Sequence, residues 1–93
     1  MEVEDHVAGG WFLLGDGEQH YLDVNCHLPM VDVSILLRLE PDEEAELRAL
    51  GRVFTEYLAA KVAYWPDRYR ARDRQDRAAE VTAAVARWPV SPA

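Results

Sequence analysis

Between Val31 and Leu39 the chain alternates with a period of two: Val31, Val33, Ile35, Leu37 and Leu39 are aliphatic, and Asp32, Ser34, Leu36 and Arg38 fall between them. That period is the mark of a strand with one face in a core, so the odd-numbered row is predicted to be buried. Upstream, Trp11-Phe12-Leu13-Leu14 runs into Gly15-Asp16-Gly17-Glu18, and the Asp-Gly pair suits a tight hairpin turn. With Asp16-Gly17 as the loop, Leu14 faces Gln19, Leu13 faces His20, Phe12 faces Tyr21 and Trp11 faces Leu22. One face then carries Trp11, Leu13, His20, Leu22, Val24 and Cys26 and is assigned to the core. The other carries Phe12, Leu14, Tyr21, Asp23, Asn25 and His27. A three-residue turn would instead send Phe12 and Leu14 inward, and the sequence leaves that alternative open. Pro29 separates the second strand from the third, because proline cannot donate to a ladder.

Beyond the strands the period changes to that of a helix. Pro41 suits the first helical position, and Asp42, Glu43, Glu44 and Glu46 complement the positive end of the helix dipole. Leu47, Leu50, Phe54, Leu58, Val62 and Trp65 recur at spacings of three and four, predicting one helix from Pro41 to Tyr64 with a possible bend at Gly51. Trp65-Pro66 ends it, since a residue before proline resists the α region. A second helix is predicted from about Arg68 to Arg87, with Ala78, Val81, Ala84, Val85 and Trp88 as its apolar stripe. The expected architecture is therefore α+β in the order β-β-β-α-α, a three-stranded antiparallel meander with two helices packed on one face. Residues 1–8 read as a flexible acidic leader, residues 9–88 as a single domain and residues 89–93 as a flexible tail.

Composition narrows the setting. The 93 residues carry a net charge of −7, and a pI near 4.8 disfavours nucleic acid and anionic lipid while favouring a basic protein partner. No apolar run approaches the roughly 18 residues of a membrane span. An acidic start does not resemble an export signal, and the single Cys26 fits a reducing cytoplasm. Nine of the ten basic residues are arginine, a bias that fits a bacterial, GC-rich coding sequence.

Few side chains suggest chemistry. His20, Asp23, Cys26 and His27 are residue types that bind zinc, but strand geometry sends His20 and Cys26 to one face and Asp23 and His27 to the other, so no metal or cofactor is expected. Cys26 with His20 has the parts of a thiol nucleophile and its base, yet a small hydrophobe in an aliphatic row is the simpler reading. The arginines between Arg68 and Arg77 are interleaved with acids at helical spacing, Arg72 with Asp76 and Asp73 with Arg77, as in a solvated helix laced with ion pairs.

The face away from the helices would expose Phe12, Leu14, Tyr21 and Leu36 beside Asp23, Asn25, His27 and Arg38. An apolar cluster of that kind suggests a contact surface. The expectation is a small, acidic, cytoplasmic protein-binding or adaptor domain without catalysis of its own, self-associating as a homodimer. The alternative is a small enzyme using the Asp23, Asn25 and His27 row at a dimer seam.

Overall fold

The computed structural model describes residues 1–28 and 31–88, and the side chains of His27, Leu28, Val31 and Asp32 lie outside the description. Four strands, β1 (Glu2–Val7), β2 (Trp11–Asp16), β3 (Gln19–Leu28) and β4 (Val31–Arg38), form one antiparallel sheet in the order β1-β2-β3-β4. They are followed by α1 (Pro41–Leu50), α2 (Arg52–Tyr64), three short 3₁₀ turns and α3 (Ala78–Arg87). The class is α+β, but the three-strand, two-helix order is corrected to four strands and three helices.

The additional strand is the segment expected to be a leader. Its apolar residues Val3 and Val7 are four apart, so a regular strand would send both to one face. A bulge between Val3 and Asp5 changes the phase: Val3 pairs with Leu14 and packs on one core, whereas Val7 pairs with Trp11 and packs on the other. The expected tail, residues 89–93, lies outside the described residues.

The β2–β3 loop is Gly17-Glu18, with Asp16 paired to Gln19, Leu14 to Tyr21, Leu13 to Leu22 and Trp11 to Val24. Gly17 holds φ at 68°, a conformation that costs glycine little. Asp16 stays in the strand, where its carboxylate accepts from Arg77 Nη2 at 2.8 Å. The register differs by two residues from the expected one, and an even shift leaves every side chain on its assigned face. Trp11, Leu13, Leu22, Val24, Cys26, Ile35, Leu37 and Leu39 therefore form a core with Phe54, Leu58, Ala59 and Val62 of α2.

The predicted first helix is two. Gly51, at φ 60° and ψ −135°, ends α1 by donating to Leu47 O and starts α2 by accepting from Phe54 N–H. The predicted second helix is shortened by the 3₁₀ turns Pro66–Arg68, Arg70–Arg72 and Gln75–Arg77. Between them Asp73 is extended, its carboxylate accepting from Leu36 N–H at 2.9 Å while Arg74 N–H donates to Leu36 O at 2.7 Å. This segment satisfies the open edge of β4. Two of its arginines find partners far away in sequence: Arg72 grips Glu43 through both terminal nitrogens, and Arg77 reaches Asp16 and Tyr21 besides nearby Glu80.

Having passed the β4 edge, the chain places α3 on the opposite face of the sheet. Val81 and Ala84 cover Leu14, Tyr21 and Leu36 in a second core, with Val3, Phe12 and Val85 at its margin. The sheet thus carries helices on both faces instead of one.

Candidate functional site

The proposed apolar contact face is interior. Leu14, Tyr21 and Leu36 are 0%, 2% and 1% exposed beneath α3. Phe12 is half-buried, its ring 5.5 Å from His6 and 6.1 Å from Trp88. The cause is the placement of α3, which no spacing within the strands reveals. Leu14, Tyr21 and Leu36 are thereby corrected from docking surface to packing, while Phe12 stays half-buried at the edge of that core.

The polar members of that row are divided. Asp23 and Asn25 border a cleft of about 320 Å³ with Gly9, Gly10 and Ser34. Asn25 is anchored there, its backbone N–H donating to Gly10 O at 2.8 Å and its side-chain amide to Gly9 O at 3.5 Å. Burial, followed by the charge of Asp73, raises the Asp23 carboxyl to about 6. The backbone of His27 pairs with Asp32 on β4, but its side chain lies outside the described residues. Arg38 is exposed and points elsewhere, donating through Nε to Gln19 Oε1.

Arg38 borders a larger, open cleft of about 840 Å³, which it shares with His20, Glu44, Arg48 and Arg72. Glu44, in the first turns of α1, is almost wholly buried and accepts from the backbone N–H of His20 at 2.7 Å. His20 Nδ1 lies 2.7 Å from Glu44 Oε1, and its Nε2 lies 3.2 Å from Glu4 Oε1. Carboxylates engage both ring nitrogens, and the cluster ties α1 and β1 to β3. Cys26 is buried on the α2 side, with its thiol pushed up by burial and its Sγ 3.8 Å from the carbonyls of Val24 and Val62. The His20–Cys26 pairing is therefore not assembled. Among the described residues, no group of three or more His, Cys, Asp or Glu side chains is placed to hold a metal ion, and no helix is long and apolar enough to cross a membrane.

Among the described residues, the exposed large apolar side chains lie on α2 and beside its two ends. Val53 is 66% exposed, Tyr57 60% and Tyr64 76%, with Leu50 at 51% and Trp65 at 42% beside the two ends of the helix. Leu50 and Trp65, members of the predicted inward stripe, are therefore corrected to the exposed side. Buried positions run instead through Phe54, Thr55, Leu58, Ala59 and Val62. The signal was present in the sequence, because α2 is apolar nearly all round and one sheet covers only one side of it. Lys61 rests over the Tyr57 ring at 5.2 Å, and Arg52 lies 3.6 Å from Glu56. The surface can therefore offer aromatic and aliphatic contact area edged by charges of both signs, a combination suited to binding another protein. No family model matches the chain, and no curated protein or solved structure matches it either.

Proposed function

We propose that this chain is a small cytoplasmic protein-binding domain, without catalysis of its own, that docks through the outer face of α2. One observation carries the reading: three large apolar side chains on a single helix face, Val53, Tyr57 and Tyr64, are each at least 60% exposed. Solvating such a cluster is costly, and tyrosine supplies contact area with little loss of rotamer entropy. The lone, buried Cys26 supports a reducing compartment. Nucleic acid is disfavoured by the net charge, and by arginines of the 68–77 segment already engaged with Asp67, Glu43, Asp76 and Asp16.

A photo-cross-linking amino acid at position 57, expressed in cells of the source organism, tests this reading. A discrete cross-linked band from position 57, absent from the same probe at Ser34, is expected. Bands from Ser34 alone would move the binding surface to the Asp23 cleft, and no band from either position would remove the proposal.

A second reading gives the Asp23 and Asn25 row acid–base chemistry at a seam between two copies. It is favoured by a carboxyl raised to about 6 inside a cleft, the range in which an acid can both give and take a proton near neutrality.

A further inference from the structure

We infer that the occupant of the α2 outer face is a second copy of this chain, packed helix to helix in parallel, with Glu56 of each copy facing Lys61 of the other. This rests on the reading of α2 as the docking surface. Val53, Tyr57, Ala60 and Tyr64 are separated by steps of four, three and four. That is the alternation of a coiled-coil seam, in which knobs at these positions enter holes on a like helix. At 3.6 residues per turn the centre of this row lies roughly 160° from the centre of the buried row, so it points directly away from the sheet. Two copies can meet along it without disturbing either core.

Charge selects the partner. The chain carries −7 overall, and α1 holds Asp42, Glu43, Glu44 and Glu46 against Arg48 alone. In α2 the balance is reversed, with Arg52 and Lys61 against Glu56. A basic partner, the one favoured by the overall charge, gains nothing at this face. A second copy presents the same three charges at this face, so its Glu56 can meet Lys61 here. Glu56 and Lys61 flank opposite sides of the row five residues apart, the spacing that brings acid and base together across a parallel pair. A two-fold axis crossing the helices near Tyr57 would set the two Glu56 carboxylates against each other, which disfavours the antiparallel arrangement. Lys61 is the only lysine in the chain.

The area is sufficient. At roughly 150–250 Å² for each fully exposed large side chain, the exposed fractions of Leu50, Val53, Tyr57, Tyr64 and Trp65 amount to roughly 440–740 Å². With Ala60 of the row and Glu56 and Ala63 at its margin, this approaches the roughly 800 Å² per partner of a standard stable interface.

Sedimentation equilibrium of the full chain from micromolar to millimolar concentration provides the test. The expected mass is twice the 10.6 kDa of the chain. Tyr57→Glu should weaken association at least about tenfold while leaving the circular dichroism spectrum unchanged, because the side chain is exposed. Glu56→Lys and Lys61→Glu should each weaken it by placing like charges together, and the double exchange should restore it to within about threefold of the original. A monomer at every concentration overturns the inference; a cross-link from position 57 to a protein of different mass would then leave the docking face standing with another occupant. A dimer indifferent to the charge exchanges overturns the parallel seam.

Discussion

Replacing Asp23 by asparagine should make the protein more stable at neutral pH, although it removes a native charge. Asp23 lies on β3, paired with Phe12 on one side and Leu36 on the other, and its carboxyl is raised from 3.8 to about 6 first by burial and then by Asp73. Between these two values the folded chain holds a proton that the unfolded chain has released. Stability therefore falls as pH rises through that window and levels off above it. About two pH units at about 1.36 kcal/mol each set an upper bound of about 3 kcal/mol, and solvent at the mouth of the cleft reduces this to about 1–2 kcal/mol. The amide has nearly the same shape and no charge to desolvate, so Asp23→Asn should gain that amount at about pH 7.5 and almost nothing near pH 4. Urea titrations of both proteins at the two pH values measure the difference, and in a thermal melt each kcal/mol corresponds to about 4–8 °C for a domain of this size. A loss of stability at neutral pH, or a gain that persists undiminished in acid, would refute the assignment of burial as the cause.

Three further substitutions examine the packing. Leu14→Ala should cost about 2–4 kcal/mol in urea unfolding, because α3 seals this residue completely; a cost below about 0.5 kcal/mol would return it to the surface. Thr55 has a buried hydroxyl without a hydrogen-bond partner among the described residues, so Thr55→Val should gain about 1 kcal/mol, and a comparable loss would reveal a partner. Gly51→Ala should cost about 1–3 kcal/mol in the same assay, since φ 60° with ψ −135° is essentially a glycine conformation. A neutral result would show that the two helices join more regularly.

The sheet was readable where a periodic pattern and its burial coincide. Ile35, Leu37 and Leu39 are buried with Phe54, Leu58 and Val62 as the alternation implied. The faces of β2 and β3 also match expectation, despite the displaced loop, because a two-residue shift preserves them. β1 was hidden because Val3 and Val7 are its only apolar residues, too few to mark an alternation, and its bulge sends them to opposite faces. The side on which α3 packs was unreadable for another reason. A helix carries its own apolar stripe but no sign of which sheet face will receive it. The course of the chain round the β4 edge decides that, through Asp73 and Arg74. Arg72 and Asp73 looked like members of a helical ion-pair ladder because i,i+4 spacing is visible in sequence, whereas the distant Glu43 is not. At the candidate site, the aromatic residues were visible but their sides were not. Leu50 and Trp65 share the spacing of the inner stripe, but Leu50 ends α1 before Gly51 and Trp65 caps α2, so neither follows the buried face of α2.

Oxidative footprinting of the aromatic side chains, compared between dilute purified protein and intact cells, addresses the α2 face most directly. Tyr57 and Tyr64 should react readily in the dilute sample and be protected several-fold in cells, while exposed residues away from that helix react equally in both. Equal oxidation of the two tyrosines in both settings would contradict the claim that another protein covers this surface.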